Sequence, residues 1–309
     1  MAPTRAALIF PGQGSQRIGM LDDIPELESL DRLLDAAEAL TGLELRTVAS
    51  LGTPEDIADT RIAQPLLYLA DWAWGATLLE SGVEPIAVAG HSLGELAALA
   101  VAGVFSVEAG LELVVERSKL MAATSAAVPG GMAAVLGVDR AAVALAISGI
   151  EGVWVANDNS PGQVVISGTK QGLTAGMHAL KQAGARKVVA LAVSGPFHSP
   201  LMEPARAAFA ELLMGAEFAD ARFPVLQNTD PTPETSGELI RERLIGQITS
   251  PVRWTETVAA LHALGATTLI ESGPGAVLAG LAKRVEGVRT LSVDSDELQT
   301  IVEEVWVDA

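Results

Sequence analysis

The chain has 309 residues, 49% of them hydrophobic and 4% aromatic, with 38 acidic against 20 basic side chains and a formal net charge of −18. That length and apolar content suffice for one large domain or two lobes and exclude a disordered chain, while the acidity argues against binding nucleic-acid phosphates or anionic membranes. The absence of cysteine excludes a disulfide scaffold, a thiolate nucleophile and thiolate metal ligation, and the four histidines leave few candidates for a base.

Ala6–Phe10 is a short apolar run stopped by Pro11-Gly12, which predicts a buried strand. Leu27, Leu30, Leu33, Leu34, Ala37 and Leu40 recur at helical spacing, and Thr53-Pro54 before Glu55-Asp56 reads as an N-cap with proline at the first helical position. A long helix is expected from near Ile62 to Glu80, then a buried strand over Pro85–Gly90 and a helix from about Leu93. The apolar run Leu96–Phe105 has about half the ~20 residues a spanning helix needs. The N-terminal stretch is too short in apolar residues for a secretory signal, so a cytoplasmic location is expected. Ser106 reads as the N-cap of a helix reaching about Ala127.

The composition changes at Pro129-Gly130-Gly131. Strand (Met132–Gly137), helix (Arg140–Ile147), strands (Val153–Ala156 and Val164–Ser167), helix (Gly172–Ala183) and strand (Lys187–Val193) follow, the βαββαβ order of a ferredoxin-like unit. Beyond Pro200 strands and helices alternate again: Pro224–Gln227, Glu238–Ile248, Pro251–Leu264, Thr268–Glu271, Ala276–Val285 and Thr290–Val293. The expected architecture is an α/β large lobe (1–128 and 199–309) with a ferredoxin-like small lobe (129–198) inserted, and a ligand cleft between them.

Gly90-His91-Ser92-Leu93-Gly94 fits Gly-x-Ser-x-Gly between a predicted strand and a predicted helix, the setting of a nucleophile elbow. The following helix would point its N-terminus at developing negative charge. His198, in the loop Ser194-Gly195-Pro196-Phe197-His198-Ser199-Pro200 at the inferred lobe junction, is the best base; His178 and His262 fall on helices, and His91 adjoins the nucleophile but points away from it. Arg117 lies on the polar face of a predicted helix and by itself reads as a solvated cation, although a guanidinium can bind a carboxylate through two parallel bonds. Gly12-Gln13-Gly14 opens like a dinucleotide fingerprint, but Arg17 occupies the third glycine position. Glycines on both sides of Gln13 still let its backbone approach a substrate closely. No metal site and no bound cofactor are expected.

Seven segments occur in order: Phe10–Gln16, Gly90–Glu95, Arg117 with Met121, Asn159–Gly168, Gly195–Ser199, Ser250–Trp254 and Glu271–Gly275. Together they resemble the malonyl-CoA:acyl carrier protein transacylases of fatty-acid synthesis, over about residues 6 to 293. That resemblance implies an α/β-hydrolase-like large lobe and a ferredoxin-like small lobe. It implies ping-pong transfer of malonyl from malonyl-CoA to the phosphopantetheine thiol of holo-acyl carrier protein, with Ser92 as nucleophile and His198 as base. It also assigns an oxyanion hole to the backbone N–H groups of Gln13 and Leu93, histidine orientation to the Gln247 carbonyl, and the malonyl carboxylate to Arg117. Phe197 resembles the malonyl-selective pattern, since methylmalonyl-selective relatives tend to carry a small residue there.

Ala276 departs from the lysine that relatives often carry. The net acidity is awkward because carrier proteins are themselves acidic, so docking requires a local basic patch. Arg186-Lys187 and Lys283-Arg284 are the candidates. A monomer is expected. The competing readings are a serine esterase or thioesterase, an acyltransferase of a polyketide pathway using another extender unit, and a non-catalytic carrier-binding subunit.

Overall fold

The computed structural model describes residues 5–306 apart from Glu26 and Glu286; the first four residues of the stretch read for a secretory signal lie outside it. Among the described residues nine strands form two sheets. β1 (Ala6–Phe10), β2 (Val88–Gly90), β7 (Val225–Leu226), β8 (Thr268–Glu271) and β9 (Arg289–Ser292) make a five-stranded sheet in the order β7-β2-β1-β8-β9, with every neighbour parallel. β3 (Gly130–Leu136), β4 (Val153–Ser160), β5 (Gln163–Thr169) and β6 (Lys187–Ala190) make an antiparallel sheet in the order β4-β5-β3-β6. The chain thus leaves the parallel sheet after β2, completes the second sheet, and returns at β7.

The central strands of the first sheet are strongly apolar. All five residues of β1 are buried, as a strand covered on both faces requires. Helices Thr60–Glu80, Gly94–Val101 and Val107–Ala127 cover one side with a core that includes Leu66, Leu67, Leu96, Leu99 and Val114. Trp254, Val258 and Leu261 of helix Trp254–Ala263 pack on the other. The expected caps are present: the Ser106 hydroxyl accepts from the Ala109 N–H, and Thr53 and Asp56 form a reciprocal capping box ahead of Pro54.

Several expected boundaries shift for local reasons. β2 begins at Val88, but the Ile86 N–H already donates to the Ala6 carbonyl at 2.9 Å. β6 ends at Ala190: after a last bond from Leu191 N–H to the Met132 carbonyl, the chain turns out of the sheet toward the loop bearing His198. Helix Glu203–Gly215, absent from the expected segments, buries Ala205, Phe209 and Leu213 at a four-residue spacing against helix Val107–Ala127. Helices Leu45–Leu51 and Leu298–Trp306 are likewise additional.

The edge of β4 is closed by the segment preceding helix Trp254–Ala263. The Asp158 N–H donates to the Val252 carbonyl at 2.9 Å, and the Val252 N–H to the Ala156 carbonyl at 2.8 Å. This ladder, with the Arg140–Glu256 ion pair, fixes the second sheet against the first. Among the described residues no helix is long and apolar enough to cross a membrane, and no group of three or more potential ligands could hold a metal ion.

Candidate active site

The strand order runs outward from β1 in both directions, so the carboxyl ends of β1, β2 and β8 border a crevice of the kind that binds ligands in open α/β sheets. Ser92 stands two residues beyond β2 with a φ of 53°, and His198 has a φ of 54°. Among the described residues these are the two non-glycine residues with positive φ. Strain of this kind persists only where the surroundings over-determine the backbone, and it concentrates at functional sites.

The turn closes because small residues let backbones meet. A Cβ on Gly94 would lie 2.1 Å from the Phe10 carbonyl oxygen, and one on Gly12 would lie 2.3 Å from that of His91. The loop after β1 therefore packs directly on the elbow, which brings the N–H groups of Gln13 and Leu93 to the same end of the sheet. Neither N–H donates to another group among the described residues. The Gln13 side chain points the other way, to the Ala58 carbonyl and the Thr60 hydroxyl, both at 3.3 Å.

His198 Nε2 lies 2.8 Å from Ser92 Oγ. Its Nδ1 lies 3.1 Å from both the Gln247 and the Ser250 carbonyl oxygens. Carbonyls only accept, so Nδ1 carries the proton and Nε2 is left to accept from the serine hydroxyl. No carboxylate among the described residues bonds to this ring. Burial, followed by the Arg117 and His91 charges, pushes the His198 pKa down to about 3.

Arg117 is not a solvated cation. It is 0% exposed, and burial lowers its pKa to about 10. Its Nη1 donates to Gln64 Oε1 at 2.7 Å, and its Nη2 to Gln247 Oε1 at 2.9 Å and to Ser92 Oγ at 3.2 Å. The Nε has no partner among the described residues. The polar face read from the sequence faces the site instead of solvent, because helix Val107–Ala127 is covered there by Gln64 and Gln247.

Gln13, Gln64, His91, Ser92, Leu93, Arg117, Met121, Asn157, Phe197 and His198 line one cavity of about 90 Å³, with Met132, Leu191 and Val193 as its remaining walls. At ~15 Å³ for each water-sized group, about six heavy atoms fit. The cavity therefore suits a short acyl group. Phe197 is buried in its wall. His91 points away from the nucleophile as expected: its Nε2 bonds Asn159 Oδ1 at 2.9 Å and its ring meets Trp254 edge-on.

The four cations singled out for docking are all exposed and lie around one turn. Arg284 Nη1 donates to Ser160 Oγ and the Pro161 carbonyl, each at 3.2 Å. The Gly162 carbonyl accepts from the Gly137 N–H at 2.9 Å, and the backbone of Arg186 lies against Gly137, with Lys187 opposite Leu136. Lys283 adjoins Arg284 at the end of helix Val277–Ala282. The turn is four residues from Asn157 along β4, roughly 13 Å.

The sequence reading missed Gln64, Ser250, Glu95 and Asn228. Gln64 had one available signal: it follows the apolar pair Ile62-Ala63 inside a helix that is otherwise buried there, where an uncharged amide needs a partner.

The acyl transferase domain family matches residues 7–301. A malonyl CoA-acyl carrier protein transacylase of Synechocystis is 42% identical over 280 residues, covering 91% of this chain and 93% of that protein. The corresponding protein of Bacillus subtilis is 40% identical over 312 residues, covering 97% and 98%. The solved structure of a malonyl-transacylase in complex with its type II polyketide synthase acyl-carrier protein superposes with a TM-score of 0.91 at 39% identity, covering 97% of this chain and 99% of that one.

Proposed function

This chain belongs to the acyl transferase domain family, and from that premise we infer that it moves a malonyl group from malonyl-CoA to the phosphopantetheine thiol of an acyl carrier protein, through an ester on Ser92. The observation that carries this reading is a buried arginine, fixed by Gln64 and Gln247, within 3.2 Å of a serine that is itself 2.8 Å from an oriented histidine. A hydrolase needs the serine and the histidine. Only an acyl group with a distal anion needs a desolvated guanidinium beside them.

In the first half-reaction His198 Nε2 takes the Ser92 hydroxyl proton as Oγ attacks the thioester carbonyl. The N–H groups of Gln13 and Leu93 stabilise the oxyanion; losing one such donor typically costs about 10²–10³ in rate. The C–S bond then breaks, and His198 returns its proton to the departing CoA sulfur. In the second half-reaction the carrier thiol gives its proton to His198 and attacks the ester, and Ser92 recovers the proton as it leaves. Burial holds the His198 pKa down most and the Arg117 charge adds to it; the malonyl carboxylate, paired with Arg117, offsets that second contribution. Phe197 leaves little room for a methyl branch, which favours malonyl over methylmalonyl.

The carrier docks where Arg186, Lys187, Lys283 and Arg284 meet around the β4–β5 turn. The support is their exposure and their convergence at a turn roughly 13 Å along β4 from the cavity-lining Asn157, on a chain whose net charge otherwise repels an acidic partner. In this reading malonyl-CoA is the substrate, and the protein acts in the cytoplasm as a monomer without a bound cofactor.

The reading is tested by mixing the protein with malonyl-CoA and measuring intact mass, then adding holo-carrier protein. A malonyl adduct that is absent in Ser92→Ala and passes to the carrier is the expected result. Free malonate without transfer would make the protein a hydrolase. No adduct at all would make it a carrier-binding subunit.

A further inference from the structure

Ser92 sits in a left-handed conformation that its own chain does not favour, so something must hold it there. The turn also removes the Gly90 carbonyl, which is buried, and the Ser92 N–H, which is partly buried, from ordinary ladder and helix pairing. One side chain meets both needs. Asn228, two residues beyond β7 and 1% exposed, accepts from the Ser92 N–H through Oδ1 at 2.6 Å and donates through Nδ2 to the Gly90 carbonyl at 2.5 Å.

The amide is fixed in turn. The Asn228 N–H donates to Glu95 Oε2 at 2.8 Å, its carbonyl accepts from the Arg253 N–H at 3.1 Å, and Gln227 Nε2 donates to Glu95 Oε1 at 3.1 Å. Glu95 is buried in the first turn of helix Gly94–Val101, immediately after the elbow. On the other side of the serine, Gln247 Nε2 donates to the Ser92 carbonyl at 2.8 Å.

We propose that Asn228 is a positioning residue for the nucleophile: its carboxamide clamps the two arms of the Ser92 turn, and Glu95 anchors Asn228, so that Oγ is held in line with His198. Asparagine suits the task because it presents a donor and an acceptor side by side. An isosteric aspartate would set an oxygen against the Gly90 carbonyl.

The proposal rests on Ser92 being the acyl-bearing residue, so the test separates the two claims. Acylation by malonyl-CoA is followed in single turnovers by intact mass for the wild type, Asn228→Ala and Asn228→Asp, with rates normalised to the fraction of sites finally labelled. The expected loss is about 10- to 100-fold in rate per labelled site, the scale of an ~1 Å misplacement, with KM for malonyl-CoA within about twofold because Arg117 is untouched. A residue that merely stabilised the fold would reduce the labelled fraction and leave the rate per site unchanged, which would overturn the proposal.

A melting cycle tests the clamp independently of chemistry. Glycine adopts the left-handed conformation without strain, so Asn228→Ala should lower Tm less in a Ser92→Gly background than in the wild type. Equal losses in the two backgrounds would overturn the proposal. Persistence of the adduct in Ser92→Ala would sink the nucleophile reading alone, and the melting cycle would then decide the clamp.

Discussion

Replacing Arg117 by alanine separates malonyl transfer from acyl transfer in general. The guanidinium is fully buried and held by Gln64 Oε1 at 2.7 Å and Gln247 Oε1 at 2.9 Å, so it is ordered before substrate arrives. Its desolvation has already been met by the fold, and a carboxylate binding to it gains nearly the full value of two charge-assisted hydrogen bonds. At about 1.5–3 kcal/mol each, these sum to about 3–6 kcal/mol, overlapping the ~3–5 kcal/mol seen when one partner of a buried pair is removed. Acetyl transfer loses only the contact from Nη2 to Ser92 Oγ at 3.2 Å, worth about 1.5 kcal/mol or roughly tenfold. Both acyl groups lose the Oγ contact, so the ratio of malonyl to acetyl acylation rates should fall by about two to four orders of magnitude. Arg117→Lys, which keeps the charge but not the fork, should fall between. The assay is single-turnover labelling of Ser92 with each acyl-CoA at matched occupancy. Equal losses for the two acyl groups would refute the carboxylate assignment and leave Arg117 as a partner of Oγ only.

The acid side of the pH profile should be unusual. With His198 held down to about 3, its neutral, basic form persists far below the ordinary histidine value, so kcat/KM for acylation should stay flat from pH 8 to about 5; a fall centred near 6.5 would show that the imidazole is not desolvated. Lys283→Glu with Arg284→Glu should raise KM for the carrier about tenfold, more at low salt, and leave the Ser92 acylation rate unchanged; an unchanged carrier KM would move the docking surface elsewhere. Gly94→Ala, whose Cβ would sit 2.1 Å from the Phe10 carbonyl oxygen, should cost at least about 2 kcal/mol by chemical denaturation and abolish labelling. Gly280→Ala, with nothing within 4 Å of its Cβ, should instead be neutral or stabilising by up to about 1 kcal/mol.

Much of this protein follows from local chemistry. The apolar run of β1, the capping residues at Thr53 and Ser106 and the βαββαβ order after Pro129 are set by neighbours in sequence, so they are legible there. The elbow is legible for the same reason: Gly90 and Gly94 must be glycine for a strand to turn into a helix beneath another strand, and the serine between them marks the turn. The ends of β2 and β6 were less so, because they depend on where a partner strand stops. Helix Glu203–Gly215 carried a visible four-residue apolar spacing.

What only the tertiary structure decided is how distant polar groups pair. Read from its own helix, Arg117 is a surface cation; Gln64, 53 residues before it, and Gln247, 130 residues after it, make it a buried one. The proton on His198 Nδ1 is placed by two carbonyls some fifty residues away, and the Ser92 turn is held by Asn228, 136 residues on. Sequence patterns report periodicity and turn chemistry, which act over a few residues. Burial and hydrogen-bond satisfaction are set by whichever residues the two sheets bring together, and they turn a serine, a histidine and an arginine into one site.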